Sequence, residues 1–537
     1  MKTIFHDHCG RPVYVLGLQA HNSSLGSPAM IARSIQAVRL YHGNTLEVPV
    51  DWAAIEPEEG AFDFSCVDRL LAQIRPAGLH LILLWFGFSK NCDATYTPAW
   101  VKEHPEIYRL AKSYDGGVVP MLSPHCEATI AADARAFTAL MQHLREVDQE
   151  ERTVLAIQVE NEIGLYPTDR CYSGAAEAVY QKGVPESLRD IVLEGSGASR
   201  RGISWTDCFG RYGNEAFSSW AFATAVESIA SSGHSAYPSL PLIMNTVIGQ
   251  VRQEVGGQSY PSGTPVGRML PIWKRCAPTI QLYGPDIYQP AVSDFLRVCK
   301  AQTACGNPLF IPETGTAGEG FACSFLHAAA EYGALGICGF GAESTLDGDG
   351  GLQSPQQTVS DSMQILSSMA SVLLEHGGTE RIFCVTQEEF QGYQHVLRAK
   401  YHITCHFTAV NGKGHPLGRS LPVSEQLAKN PDLCRQRGRV LFYEAAEDEY
   451  YLAGIGATVR FLLRPEAEDP HPMRTYASRA ATELTAVSIE EGHFDENGAW
   501  VCDFVRHGDE VDLGAFVYPG IVLRVKLNPG AVRAFDW

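Results

Sequence analysis

Short apolar runs alternate with amphipathic stretches along the chain as far as Gly377, and the pattern then changes. The apolar runs are Tyr14–Leu18, Thr45–Val50, His80–Phe86, Val154–Val159, Leu240–Asn245, Ile280–Tyr288, Pro308–Pro312 and Ala334–Phe340. Each has the length of a buried strand, and helical periodicity lies between them. That order belongs to a parallel α/β sheet or barrel. Eight runs suit a closed (β/α)8 TIM barrel better than an open sheet. Two of the intervening helices can be read in detail. Val67, Leu70, Leu71 and Ile74 fall at i, i+3, i+4 and i+7. Ser65 and Asp68 have the form of a capping box with Asp in place of Glu, and Pro76 and Gly78 close the helix. Phe137, Leu140, Met141 and Leu144 make the apolar face of a second helix leading into Val154–Val159.

Two insertions break the alternation. Tyr166–Ser204 has few regularly spaced apolar residues, and Gln250–Leu270 is rich in Gly, Pro and Ser. Loops that follow barrel strands lie on the catalytic face, so both are expected to shape a substrate pocket. Beyond Gly377-Gly378 come short segments rich in Val, Tyr, Phe and Thr, such as Ile403–Ala409, Arg439–Tyr443 and Thr458–Leu463. Asn411-Gly412 and Asn497-Gly498 supply turn signals between such segments. The reading is a catalytic barrel over residues 1–376 and an all-β sandwich as an accessory domain over residues 377–537.

Composition narrows the function. The 537 residues carry 42 Lys+Arg against 61 Asp+Glu, a formal charge of −19. Such a chain is a poor partner for nucleic acid or an anionic membrane, whereas neutral sugars stay open as substrates. No apolar run is long enough to span a bilayer, and no apolar stretch follows Lys2 as in a signal peptide. The 15 cysteines are scattered without paired spacing, as expected of reduced thiols in a cytoplasmic protein. No ligand spacing suggests a metal, and a homo-oligomer is compatible with the sequence.

Two segments carry chemistry. Gln158-Val159-Glu160-Asn161-Glu162-Ile163-Gly164 closes the fourth apolar run, and Pro312-Glu313-Thr314-Gly315 follows the seventh. Acids at the ends of apolar strands are costly unless they face a polar cleft, and the C-terminal strand ends are where a barrel keeps its catalytic groups. Strands four and seven stand across the mouth of a barrel from each other. A protonated carboxylic acid and an ionised carboxylate placed there could flank one glycosidic bond.

The Asn-Glu pair after strand four and the Glu after strand seven resemble the clan-A glycoside hydrolases, and QVENEIG is similar to the acid/base motif of the family 35 β-galactosidases. The resemblance covers roughly residues 10–375, including Leu16–Leu25, Trp52–Phe64, Leu83–Asn91 and Asp286-Ile287-Tyr288. It is to a branch with a C-terminal β-sandwich domain. It implies a retaining exo-acting β-glycosidase with Glu162 as acid/base, Glu313 as nucleophile, Asn161 on the sugar 2-hydroxyl and no cofactor. One departure is evident: the strand-three loop reads Trp85-Phe86-Gly87-Phe88-Ser89-Lys90-Asn91, without the Cys-Ala-Glu-Trp-like segment of typical family 35 members.

Other residues at strand ends are candidates for substrate contact, each with a structural alternative. Asn22, Lys90 and Asn91 could bond sugar hydroxyls or cap loops. Tyr288 would orient the nucleophile, as the resemblance implies, or sit in the core. Trp85 could stack on a sugar or pack in the barrel. Glu343 could bind substrate or balance a lysine. His21 is read as a hydrogen-bonding residue, and Glu160 as structural, turned away from Glu162 or paired with a base. The resulting function is hydrolysis of a terminal β-linked sugar from an oligosaccharide or glycoside, β-galactoside first. A glucosidase, a xylosidase or a non-catalytic carbohydrate-binding protein are the alternatives.

Overall fold

The computed structural model describes residues 3–249, 254–388, 391–407, 437–463, 486–512 and 514–528. They form two compact units, one of Thr3–Thr316 with Ala334–Leu352, the other of Ala317–Gly333 with the described residues from Gln353 onward.

The first unit holds eight strands: β1 Val15–Gln19, β2 Thr45–Asp51, β3 His80–Lys90, β4 Val154–Asn161, β5 Leu242–Val247, β6 Leu282–Ile287, β7 Glu313–Thr314 and β8 Gly336–Phe340. Their order is β8-β1-β2-β3-β4-β5-β6-β7, with every pairing parallel. The two ends of this sheet meet. Ile311, just before β7, bridges Ile337 of β8, with the Ile311 amide donating to the Gly336 carbonyl at 3.1 Å and the Cys338 amide to the Ile311 carbonyl at 2.8 Å. The sheet is therefore a closed (β/α)8 barrel, as the eight apolar runs required. The seventh run differs in detail. Pro312 has no amide to donate, so ladder pairing with β6 is confined to Glu313 and Thr314.

Helices follow the strands in chain order: α1 Pro28–Leu40, α2 Ser65–Ala77, α3 Glu127–Asp148, α4 Gly213–Ala236, α5 Leu270–Cys276, α6 Val292–Gln302, α7 Glu319–Tyr332 and α8 Gln357–Ser368. Ser27 caps α1, accepting from the Met30 amide, and Pro28 opens it with its fixed φ. The capping box expected at Ser65 does not form. Phe64 takes the N-cap position, and Ser65 is already helical and gives its amide to Asp63 Oδ1 at 2.8 Å. The far end follows the reading, since Gly78 adopts φ +68° and terminates the helix.

The barrel interior is layered. Phe5, Val15, Ile82, Leu84, Ala156, Ile243, Leu282, Phe310 and Cys338 form its apolar filling. Toward the C-terminal strand ends the inward positions turn polar, and that is where the chemistry collects. Among the described residues no helix is long and apolar enough to cross a membrane.

The second unit contains α7, α8 and two antiparallel sheets. Its strands are β9 Ile382–Thr386, β10 Tyr393–Leu397, β11 Tyr401–Phe407, β12 Arg439–Ala446, β13 Glu449–Ile455, β14 Ala457–Leu463, β15 Ser488–Phe494, β16 Trp500–Val505, β17 Ala515–Phe516 and β18 Val522–Lys526. One sheet runs β9-β12-β13-β18-β15-β16, the other β10-β11-β14-β17. Ile403, Cys405 and Val459 of the smaller sheet share a buried core with Phe442, Leu452, Leu523 and Val525 of the larger, which makes a β-sandwich. Asn497-Gly498 is the expected turn between β15 and β16, with Gly498 at φ +76°. Asn411-Gly412 lies outside the described residues.

Arg439 ties this unit together. Its guanidinium is almost wholly buried and donates to Ser362 Oγ at 2.6 Å and the Thr358 carbonyl at 2.6 Å on α8, while Glu319 of α7 pairs with it at 3.3 Å. Arg439→Ala would strand a largely buried carboxylate. We expect a loss of about 3–5 kcal/mol of stability in guanidinium denaturation of the full chain. An unfolding midpoint equal to that of the parent would show that the pairing contributes nothing.

Candidate active site

The segment after β4 is shaped by backbone as much as by side chains. Glu160 and Glu162 both adopt left-handed φ, +62° and +47°, which costs non-glycine residues about 1–3 kcal/mol each and marks a conformation that the surroundings enforce. The result is that two acids two residues apart point to different places. Glu160 turns outward against α3, and Glu162 enters the barrel mouth.

The Glu160 carboxyl meets Asp133 of α3, so of the two sequence readings it follows the one turned away from Glu162 and not the one paired with a base. Both groups are fully buried. The Trp85 indole and the Phe88 amide donate to Asp133 at 2.8 and 2.7 Å, and the Ser89 amide donates to Glu160 at 2.8 Å. Burial raises Asp133 to about 6, and burial together with the Asp133 charge raises Glu160 well above its ordinary range. The pair therefore shares a proton. Gly87 makes this possible, because a Cβ there would lie 2.3 Å from Asp133 Oδ2 and 2.5 Å from Glu160 Oε1. The carboxyl pair thus pins Gly87–Ser89, the irregular part of β3 between its pairings at Trp85 and Lys90. This bulge delivers Lys90 opposite Asn161, where it is buried with its ammonium 4.7 Å from the centre of the Phe86 ring.

Glu162 and Glu313 come together as the strand-end reading requires, and Asp286 of β6 joins them. One carboxylate oxygen from each of the three lies within 4.8 Å of the others, and all three residues are buried. Asp286 stands in register with Glu313 on the neighbouring strand. Burial first, then the Glu313 charge, lifts Glu162 to about 7, while Lys90 and a hydrogen bond from Asp286 act in the opposite sense. Asp286 is held well above the carboxylate range by burial and by Glu313 and Glu162. Tyr288 donates to Glu313 Oε1 at 2.5 Å, and Glu313 Oε2 is buried with no hydrogen-bond partner among the described residues. The Tyr288 side chain therefore acts on Glu313 directly, and burial with the Glu313 charge holds its hydroxyl protonated.

Asn161 and Asn245 link these groups. Asn245 of β5 donates to Asp286 Oδ2 at 2.7 Å and to Asn161 Oδ1 at 3.2 Å, and its own oxygen accepts the Glu162 amide at 2.9 Å. Asn161 donates to Asn91 Oδ1 at 3.0 Å. Asn91 is thus placed to act through Asn161. Asn22, after β1, is half-buried, with Oδ1 shielded and without a hydrogen-bond partner among the described residues.

Two candidates lie elsewhere. Trp85 is fully buried on the outer face of β3, packed on Phe137 and bonded to Asp133, so it has no surface to offer a sugar. Strand alternation sends it outward, and the bulge separates it from Lys90. Glu343 accepts from the His21 amide at 3.1 Å and from the Ser24 hydroxyl, which uses both oxygens to fasten the loop after β1, and no lysine is involved. His21 bonds Ser344 Oγ at 2.6 Å, in keeping with a hydrogen-bonding role.

Asp286 and Asn245 escaped the sequence reading although a signal existed. Both sit inside or at the end of an apolar run, the same anomaly that singled out Glu162. Glu47 of β2 is a further example: it is fully buried inside the barrel, and burial together with the Glu313 charge raises its carboxyl well above the usual range. Glu162, Asp286 and Glu313 offer three oxygens of the kind a hard cation takes. Asn245 and Tyr288 already occupy one oxygen each of Asp286 and Glu313, however, and Lys90 faces the set, so the contacts made here are those of hydrogen bonding. Both insertions line one cavity of about 750 Å³, with Thr168, Asp169 and Tyr172 from the first and Gly256, Gln258 and Arg268 from the second.

A family model described as β-galactosidase, that of glycoside hydrolase family 42, matches residues 26–192, and a domain of unknown function, DUF5597, matches residues 359–518. The family matched is 42, where the QVENEIG motif had suggested 35. A β-galactosidase of Xanthomonas manihotis is 30% identical over 152 residues, 28% of this chain and 23% of the relative. The β-galactosidase GanA of Bacillus subtilis is 32% identical over 91 residues, 17% of this chain and 12% of the relative. The chain therefore aligns with less than a quarter of the length of these relatives. In fold it resembles the crystal structure of a β-galactosidase from Bacillus circulans sp. alkalophilus, at 14% identity and a TM-score of 0.50, covering 70% of this chain and 58% of that one.

The shared proton of Asp133 and Glu160 has a measurable consequence. The folded pair keeps a proton that the unfolded carboxyls release near their ordinary values, so folding stability falls as pH rises through about 6, the raised value of Asp133. Glu160→Gln supplies a neutral partner at every pH. Its stability, followed by denaturant titration from weakly acidic to neutral pH, should fall less steeply than that of the parent. Parallel curves for the two proteins would rule out proton sharing.

Proposed function

We propose that the chain is a retaining exo-acting β-glycosidase, with β-galactosides as its substrates, in which Glu162 is the acid/base and Glu313 the nucleophile. The observation that carries this reading is the pair of buried carboxyls after β4 and on β7, with one oxygen of each within 4.8 Å of the other and different surroundings. So close an approach of one oxygen from each favours the ~5–5.5 Å carboxyl separation of retaining enzymes over the ~6.5–9.5 Å that admits a water in inverting ones. Burial lets Glu162 hold a proton near neutrality for the leaving oxygen. Glu313, oriented by Tyr288 on one oxygen, presents its free oxygen for attack at the anomeric carbon. The first step forms a bond from Glu313 to the anomeric carbon as the aglycone leaves with the Glu162 proton. In the second, water gives its proton to Glu162 and displaces Glu313. The family 42 match and the β-galactosidase relatives support galactose as the sugar. Asn161 and Lys90 line the same mouth and serve substrate hydroxyls in this scheme, with Asn22 at its rim.

Azide separates the two roles. With Glu313→Ala, azide entering the vacated space should give a glycosyl azide of inverted configuration. With Glu162→Ala and an activated aryl galactoside, azide should intercept the covalent intermediate and give retained configuration. The reverse assignment of products would exchange the two residues.

The pH profile gives a second check. Loss of the Glu162 proton should set the alkaline limb of kcat/KM near pH 7. Lys90 lowers that value, so Lys90→Met should move the limb to higher pH, alongside a loss of rate. A limb that stays in place, or moves down, would contradict the assignment.

A further inference from the structure

The third carboxyl, Asp286, has no part in the two-carboxylate scheme, yet it is buried close to Glu162 and Glu313 alike. It is in register with Glu313 on the adjacent strand, it has an oxygen within 4.8 Å of one on each of Glu162 and Glu313, and its Oδ1 is buried without a hydrogen-bond partner among the described residues. Two carboxyls can share a hydrogen bond only if one is protonated. Its Oδ2 accepts from Asn245, which in turn accepts the Glu162 amide. That amide belongs to a residue at φ +47°, so something must hold it there. Asn245 is the side chain that does so, and Asp286 is what fixes the Asn245 amide plane. Among the described residues Lys90 is the cation that faces the carboxyls, and one positive charge cannot balance three carboxylates in a buried space.

Resting on the reading of Glu162 as acid/base, we propose that Asp286 is a positioning residue that stays a neutral carboxylic acid through the whole reaction cycle, donating to the Glu162 carboxyl and anchoring Asn245 against the Glu162 backbone. While Glu162 is protonated, the Asp286 donor holds its carbonyl oxygen and leaves the Glu162 hydroxyl free for the leaving oxygen. When Glu162 has given up that proton, the same donor steadies its carboxylate until water returns one. No proton leaves Asp286 in either step, so the proton count of the cycle is unchanged. The charged and titratable groups facing it are Glu162 just after β4, Glu313 from β7, Lys90 from β3 and the Tyr288 hydroxyl beyond β6, with the Cys92 thiol near Glu162. Nucleophilic attack requires that Glu313 be the carboxylate of this set.

The test is a comparison of Asp286→Asn and Asp286→Ala in the full chain. Asn reproduces a neutral donor and acceptor, so D286N should keep kcat/KM within about tenfold of the parent and keep the alkaline limb in place, whereas D286A should lose about 10²-fold. D286A should also move its alkaline limb to higher pH, because the Glu162 anion has lost a donor. A D286N enzyme as inactive as E162Q would overturn the proposal, since Asp286 would then have to ionise or deliver a proton itself. So would a D286A enzyme with the parent's rate and pH profile. E162Q and E313Q are run beside them: full activity in those two would mean that the site reading has failed. Infrared difference spectra at neutral pH decide the protonation state without turnover or the Ala variant. D286N should lack one protonated-carboxyl carbonyl band present in the parent, and loss of a carboxylate band in its place would refute a neutral Asp286.

Discussion

Three carboxyl groups held within 4.8 Å of one another in a buried chamber cannot all be charged. Much else in the barrel mouth follows from that constraint. One charge is tolerated because Lys90 is buried nearby and Tyr288 donates to Glu313. On the proposed reading, the remaining protons make acid catalysis available near neutrality. The polar network from Asn91 through Asn161 and Asn245 to Asp286 keeps each group where its protonation state is useful.

A second carboxyl pair, Asp133 and Glu160, supports the first from outside the barrel. It bonds the backbone of Phe88 and Ser89 and so places Lys90, the cation that the inner cluster needs. The alternating left-handed residues Glu160 and Glu162 connect the two pairs through one short stretch of chain. Backbone strain, a bulge in β3 and a glycine with no room for a side chain are thus parts of one arrangement. Each would be destabilising alone, and together they separate two acids that are neighbours in sequence.

Much of this was legible from residues alone because its signal is local. Apolar runs located all eight barrel strands, with ends displaced by a few residues, and β7 shifted because Pro312 cannot pair. Acids at strand ends located Glu162 and Glu313. What was not legible depends on contacts distant in sequence or on backbone irregularity. Trp85 sits in an ordinary apolar run, and nothing in that run shows that it faces α3. Asp133 as partner of Glu160 comes from another element, and carboxyl–carboxyl pairing has no sequence signature. At α2 the capping pattern misled because Asp63, two residues before Ser65, competes for the same amide. Asp286 and Asn245 are different, since a charged or amide side chain in an apolar run is visible, and the rule that selected Glu162 extends to both.

The account rests on Glu313 being the group that bonds the sugar while Glu162 and Asp286 do not. The most direct measurement is trapping with an activated 2-deoxy-2-fluoro-β-galactoside, whose intermediate turns over slowly, followed by proteolysis and mass spectrometry. The account predicts a single sugar adduct on the peptide that carries Glu313, with Glu162 and Asp286 unmodified. An adduct on either of those residues, or hydrolysis with inverted configuration and no adduct, would contradict it.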